Sequence, residues 1–376
     1  MIISNGVVFC DDGVFRQMDI EAQNGVITRI GYDLPRKGQE VIDAQNDYVI
    51  PGLVDIHTHG AMGADFSDGT PEAIEEIARF LLKNGVTSFL GTTMTLPEKH
   101  IMSICKTARP YIDTTYPDQA VLRGIYLEGP FFSKERRGAQ NEAYLAEPDL
   151  SMFKRFCDAS GEAVRVIAVA PELIGAYEFI KAASQTCTVS IAHSTARYDI
   201  AGKAFSLGAN HVTHIFNGMN PFNHREPGII GAAFDCSAYV ELITDGVHIN
   251  PSVVRVAFQL FGDDKVCLIS DSMRACGLAD GQYDLGGQLV TVTGRTATIG
   301  NNSLAGSVTT LTDCLRRAIE FGIPLTSALK AATINPAKSV GLNDVGSLTV
   351  GKRADILVLN QELLIEHIVL GSIRIS

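Results

Sequence analysis

No run of basic residues occurs in this chain, and its formal net charge is −11. That combination argues against nucleic acid and against an anionic membrane surface as partners. No apolar run approaches the length of a membrane-crossing helix. The first residues, Met1-Ile2-Ile3-Ser4-Asn5-Gly6, lack the charged and long apolar regions of a secretory signal. The 8 cysteines are scattered without a C-x-x-C pair, so a reduced, cytoplasmic chain is expected. Internal repeats, low-complexity tracts and long linkers are missing. No serine or cysteine stands out with a partner histidine, which disfavours a covalent mechanism.

What is present is a chain of 376 residues, 46% hydrophobic, with 35 glycines. This suffices for a large core with many tight turns. Residues 1–50 read as short strands, such as Gly6-Val7-Val8-Phe9 and Gly25–Ile30, separated by Asp-Asp-Gly and Asn-Gly turns. From Val49 the rhythm becomes strand–helix alternation. The first strand runs from Tyr48-Val49-Ile50 through Pro51-Gly52 to His57. Seven more follow at Val86–Thr93, Val121–Leu127, Val164–Ala170, Cys187–Ala192, Asn210–Thr213, Tyr239–Thr244 and Lys265–Ser270. Thr70-Pro71-Glu72 opens a helix with a capping threonine and a first-turn proline. Further helices are expected over 97–108, 149–159, 198–207, 251–261, 308–321 and 324–333. Eight strands with intervening helices or insertions predict an α/β fold, a (β/α)8 TIM-type barrel over residues 51–342. A Gly-rich β-hairpin is expected over the barrel mouth near 281–300. The tail, 343–376, returns to period-two strands. It is expected to pair with the N-terminal strands in a small β-sandwich built from both chain ends.

Ionisable residues recur at the predicted strand ends: His57, His59, Glu128, His193, His214, His248 and Asp271. In a barrel all such ends face one mouth, where active sites sit. Five of the 9 histidines fall there. Two histidines at i and i+2 on a strand share a face, and neutral imidazoles with a carboxylate suit zinc, iron(II) or another first-row divalent ion. Glu128 can bridge two ions. Asp271 is placed to take a proton from water whose pKa an ion lowers. His100 and His367 read as solvated surface residues and His211 as structural, and His224 does not fit as a ligand. Cys276 reads as an apolar loop contact.

Several motifs occur in one order: His57-Thr58-His59, Leu127-Glu128-Gly129-Pro130-Phe131, Ala192-His193-Ser194, Thr213-His214-Ile215-Phe216-Asn217-Gly218-Met219, Arg225-Glu226-Pro227-Gly228, Asp245-Gly246-Val247-His248 and Ser270-Asp271. With Leu304-Ala305-Gly306-Ser307 and Gly351-Lys352-Arg353-Ala354-Asp355, they resemble the N-acetylglucosamine-6-phosphate deacetylase family of the amidohydrolase superfamily. The resemblance spans nearly the whole chain. It implies a metal-dependent barrel that hydrolyses the acetamide of the phosphosugar, using one or two divalent transition-metal ions, zinc or iron. It implies that Glu128, His193 and His214 hold the main ion, that His57 and His59 belong to the metal set, and that Asp271 is the general base and acid. His248 and Arg225 would bind the phosphate, with Arg225 reaching the partner's site in a homodimer. Ala139, Gln140, Asn217, Gly218, Leu304, Ala305 and Gly306 would contact substrate. For Arg225 the chain's acidity adds weight, because an anionic substrate needs local positive charge and a guanidinium is a forked donor.

The chain departs from the family pattern at one position: many members have histidine where this chain has Gln140 after Gly138-Ala139. Gln140 can donate an amide hydrogen bond to a substrate carbonyl or hydroxyl, but cannot act as an acid. Some members lack the His-x-His pair and bind a single metal, whereas this chain has it. Two other functions fit the same fold: a metal amidohydrolase acting on a cyclic amide or deaminating a base, and a non-catalytic scaffold. The first would not need Arg225 and His248. The second would be expected to have lost some of the metal residues.

Overall fold

The computed structural model describes residues 1–36, 38–300 and 303–376. Its central sheet runs in sequence order through Leu53–Thr58, Val86–Thr93, Val121–Leu127, Val164–Val169, Thr188–Ile191, His211–Val212, Tyr239–Leu242 and Val266–Leu268. Every neighbouring pair is parallel. The ring is drawn shut where the eighth strand's exit meets the first strand. There the Asp271 N–H donates to the His57 carbonyl (2.9 Å) and the His59 N–H to the Ser272 carbonyl (2.8 Å). The fold is therefore the expected TIM-type barrel.

Parallel strands must be covered on both faces, which is why these segments are near-continuous apolar runs. All of Val86–Thr93 and all of Val121–Leu127 are buried. Side chains alternate between two layers. Phe89 packs with the layer between strands and helices, whereas Leu90 joins Tyr126, Val166 and Cys267. Residues from the second, third, fourth and eighth strands can meet only inside the ring. The outer helices begin where the sequence supplies caps. Thr70 accepts from the Ala73 N–H ahead of Pro71–Lys83, and Asn250 from the Ser252 N–H ahead of Pro251–Phe261.

The strands from the two chain ends form a second sheet, ordered Ile373–Arg374, Ile365–Leu370, Ile356–Leu359, Tyr48–Pro51, Ile2–Phe9, Phe15–Gln23 and Val26–Gly31, with Val41–Asp43 also paired to Ile2–Phe9. It is one continuous hydrogen-bonded sheet around a core that includes Ile3, Val8, Ile20, Val49, Ile356 and Val369. The run from Tyr48 to His57 is two strands rather than one. Tyr48–Pro51 belongs to this sheet, and only Leu53–Thr58 to the barrel. The chain crosses at Gly52, where a Cβ would lie 2.1 Å from Thr87 Oγ1, so the crossing admits only glycine.

The insertion after Asp271 also differs. It has three antiparallel strands rather than two: Gly281–Leu285, Gln288–Thr293 and Thr296–Thr298. Gly286 and Gly287, both with positive φ, make the first turn. The Gln288 side chain bonds the Ala139 carbonyl and Leu285 borders the central cavity, so the insertion does lie over the mouth. All eight cysteines are free thiols. No helix among the described residues is long and apolar enough to cross a membrane.

Candidate metal centre and active site

Three separate strand ends deliver Glu128, His193 and His214 to one point. Glu128 Oε1 lies 3.0 Å from His193 Nε2 and 3.0 Å from His214 Nε2, and the two nitrogens are 3.2 Å apart. Ligand atoms about 2.0–2.1 Å from a shared tetrahedral ion sit about 3.3 Å from one another. The trio is therefore spaced as an ion requires. His193 Nδ1 lies 2.8 Å from the Arg136 carbonyl, a partner that can only accept, so the ring proton belongs on Nδ1 and the Nε2 lone pair is left for an ion.

The backbone is turned to reach this arrangement. His193, His214 and Asp271 have φ of 44°, 26° and 47°. Left-handed backbone at a non-glycine residue costs on the order of 1–3 kcal/mol. Three such residues at functional strand ends show that aiming these side chains takes precedence over local relaxation. Gly218 serves the same centre: a Cβ there would fall 2.9 Å from His193 Nδ1.

His57 and His59 approach from the first strand. His59 Nε2 is 3.2 Å from Glu128 Oε2 and 3.3 Å from Asp271 Oδ1. His57 Nε2 is 3.6 Å from Asp271 Oδ1 and 3.9 Å from Glu128 Oε1. That buried nitrogen has no hydrogen-bond partner, nor have His59 Nδ1 and His214 Nδ1. Unpartnered buried imidazole nitrogens are costly unless something else engages them. For His57 Nε2, aimed between two carboxylates, a cation fits. Two groups, His57–His59–Glu128 and Glu128–His193–His214, thus have donor atoms close enough to hold a metal ion.

Charge is concentrated here. Burial opposes ionisation of His214, His59, Glu128 and Asp271, and the opposite charges around each outweigh it. His214 is pushed up to about 9 by Glu128, and His59 well above the ordinary imidazole range by Asp271 and Glu128. Glu128 is held well below the usual carboxylate range by His193, His214 and His59, and Asp271 is lowered by His59 and His57.

The sequence reading missed the residue beneath this layer. Glu241, fully buried on Tyr239–Leu242, accepts from His57 Nδ1 at 2.9 Å and faces His211 Nε2 at 3.2 Å. Burial works against its charge, but His57 and His211 hold the carboxyl at about 2. It fixes the His57 tautomer so that Nε2 faces the site. The available signal was an acid inside the apolar run Tyr-Val-Glu-Leu-Ile, because a buried charge needs a partner. Asp55 was missed likewise. It accepts from Ser270 Oγ at 2.6 Å, and burial raises its carboxyl to about 6.

A cavity of about 450 Å³ opens above the centre. Of the expected residues, Glu128, His59, His193, His214 and Asp271 border it, as do Ala139, Gln140, Asn217, Gly218, His248, Leu304 and Gly306. His57 lies below, fully buried. His248 faces the cavity with Nδ1 2.7 Å from Asp245 Oδ2, while Asn250 caps the following helix. Two of the residues expected to contact substrate do not border the cavity. Ala305 does not border the cavity: it is fully buried and its N–H donates to the Ala297 carbonyl. Arg225 lies on an exposed loop, its N–H capped by Asn223 Oδ1, away from this cavity. The arginine that does border it is Arg136, unanticipated, with its guanidinium on Asn220 Oδ1. Gln140 borders the cavity, but its amide is spent inward on Glu128 and Thr95. His211 is buried as expected, and Cys276 packs in its loop with its thiol toward the Thr309 carbonyl.

Comparison with known proteins agrees with this geometry. The profile of the amidohydrolase family matches residues 48–372. The chain is 35% identical to an N-acetylglucosamine-6-phosphate deacetylase of Lysinibacillus sphaericus, over 100% of this chain and 98% of that one. It is 33% identical to an N-acetylgalactosamine-6-phosphate deacetylase of Escherichia coli O157:H7, over 87% and 88%. Its structure superposes with a TM-score of 0.93, at 29% identity and over 100% and 99% of the two chains, on a mutant N-acetyl-D-glucosamine-6-phosphate deacetylase of Mycobacterium smegmatis in complex with N-acetyl-D-glucosamine-6-phosphate. The chain belongs to the amidohydrolase family, whose members are metal-dependent.

Proposed function

We propose that this chain hydrolyses the acetamide of N-acetyl-D-glucosamine 6-phosphate to D-glucosamine 6-phosphate and acetate, a cytoplasmic step of amino-sugar catabolism and recycling. The observation that carries the reading is the convergence of Glu128, His193 and His214 within 3.2 Å of one another on a cavity that Asp271 also borders. These three residues would hold the main divalent ion, zinc or iron, and His57 and His59 with Glu128 a second. Such an ion, when bound, makes water more acidic and polarises a carbonyl oxygen.

Asp271 does the proton work. Its carboxylate, kept ionised by the imidazoles beside it, accepts the proton of the attacking water. It then returns that proton to the amide nitrogen of the sugar, because an amide anion is a very poor leaving group. Glu241 holds His57 in place from below. Asn217, Gly218 and His248 border the cavity where the sugar and its phosphate would lie, and Ala139, Leu304 and Gly306 form the wall. Ala305 supports that wall through its backbone bond to Ala297. Arg136 supplies a guanidinium from the same chain. Arg225, exposed on its loop, would reach the cavity of a second copy in a homodimer.

The galacto epimer is a second candidate substrate, favoured by the 33% identity to the Escherichia coli relative. The test is acetate release by the metal-loaded protein on N-acetylglucosamine 6-phosphate, its galacto epimer and unphosphorylated N-acetylglucosamine. Turnover should be high on the first and low on the last. A fully loaded protein inert on both phosphosugars would overturn the proposal.

A further inference from the structure

Gln140 borders the substrate cavity, yet its amide makes no outward bond. Its Oε1 accepts from the Thr95 N–H at 2.8 Å, and its Nε2 donates to Glu128 Oε2 at 2.7 Å. The same nitrogen lies 3.9 Å from Met94 Sδ, a weak acceptor. A backbone N–H can only donate, so Thr95 dictates which end of the amide is oxygen, and the NH2 must face Glu128. The residue is 3% exposed. One amide hydrogen is thus committed to Glu128 and the other is turned toward Met94.

The consequence falls on Glu128. Of its two oxygens, Oε1 faces His193 and His214, and Oε2 receives Gln140. The carboxylate therefore cannot rotate without breaking the Gln140 bond. A neutral amide orients it without cancelling its charge. A lysine or protonated histidine in the same place would pair with that charge and stand as a like charge beside an ion. The brace reaches back to Thr95, just beyond the second barrel strand, Val86–Thr93, so two neighbouring strand ends are tied together at the centre.

We infer that Gln140 is a positioning residue for the metal centre rather than a substrate ligand: its amide, locked by Thr95, presets the Glu128 carboxylate for the ion shared with His193 and His214. This rests on the metal-dependent reading above.

The test compares full-length wild type with Gln140→Leu, which has similar bulk and makes neither bond. Zn²⁺ affinity is read by competition with a chromophoric chelator, and KM and kcat for N-acetylglucosamine 6-phosphate at saturating Zn²⁺. Zn²⁺ should bind about 10–100-fold more weakly to the variant, the usual cost of losing a residue that orients a ligand, with KM unchanged. Unchanged Zn²⁺ affinity with a raised KM would overturn the inference and make Gln140 a substrate contact. Unchanged affinity and unchanged KM would overturn it too. If the Leu variant does not fold, Gln140→Met serves in its place. Wild type that binds no Zn²⁺ would sink the metal reading itself, an outcome distinct from a loaded wild type and an equally tight variant.

Discussion

Glu128 Oε1 meets His193 and His214 at 3.0 Å each, whereas His59 meets Oε2 at 3.2 Å and His57 stays 3.9 Å from the nearer oxygen. The first group draws its ligands from three strand ends, and two of them are braced from outside: His193 by the Arg136 carbonyl and Glu128 by Gln140. The second draws both imidazoles from one strand, and the closer His57 contact is with Glu241 below rather than with the centre. Residues on separate elements can each be aimed independently, at the expense of left-handed backbone at His193 and His214. Residues two apart on one strand share a single direction and must compromise. The trio is thus already spaced for an ion, while in the pair the His57 contact with Glu128, at 3.9 Å, is longer than that spacing.

Removing the carboxylate common to both groups should have the largest effect. Glu128→Ala is expected to abolish turnover and to leave almost no tightly bound metal. His59→Ala and His57→Ala should lose the second ion, if one is bound, and keep the first. Elemental analysis of the purified variants decides this. Full occupancy in Glu128→Ala would remove the ranking of the two groups altogether.

Asp271 touches only the looser side, with Oδ1 3.3 Å from His59. Asp271→Asn should therefore keep the trio's ion and still bind substrate, while kcat falls by about 10²–10⁴-fold, the worth of a positioned general base. A variant within a few-fold of wild type, with its metal intact, would move the proton transfer to Glu128.

Much of this centre was legible before the fold was known, because metal-type residues sat at the ends of apolar runs and a barrel sends all such ends to one side. Thr70 announced its helix through capping chemistry. The helix Ala176–Ala183 has only Gly175 before it and no side-chain cap, so nothing local marked its start. Glu241 and Asp55 carried only a weak signal, an acid inside an apolar run, for a different reason. An acid inside a strand reads as a solvated face until the partner across the ring is known, and His57 and Ser270 are remote in sequence from them. From its motif Gln140 reads as an outward donor to substrate, but the Thr95 N–H, supplied by a different strand end, turns its amide inward. The positive φ angles at His193, His214 and Asp271 have no sequence signal, since none is glycine.

A smaller effect separates the ion end of the cavity from its anion end. Arg225 is exposed and does not border the cavity above the metal groups, so Arg225→Ala should leave metal content untouched. If a second copy brings it to the phosphate, binding of the phosphorylated sugar should weaken by about 1.5–3 kcal/mol, the scale of a charge-assisted hydrogen bond. The unphosphorylated sugar should change little. Equal losses on both sugars would return Arg225 to a structural role and leave Arg136 as the cation for phosphate.

The pH dependence of metal binding distinguishes the two groups most finely. Without an ion, His214 keeps its proton up to about pH 9, because Glu128 favours the charged ring more than burial disfavours it. An ion entering the trio must displace that proton, and ligand deprotonation is released to solvent. Affinity at the trio should therefore rise by about tenfold per pH unit between pH 7 and about 9 for one displaced proton, and then level. In the pair both rings have raised pKa values, so up to two protons leave and the dependence should be steeper. Stability of the ion-free protein runs in the opposite sense. A group whose folded pKa is raised contributes fully below its unfolded value, about 6.5 for histidine, and that contribution fades as pH climbs through the folded one. Thermal melts of chelator-treated protein should accordingly drop between pH 7 and about 9 while Zn²⁺ affinity climbs. Affinity that stays flat across this window would mean that the imidazoles are already neutral, and that the carboxylates alone set how tightly each group holds its ion.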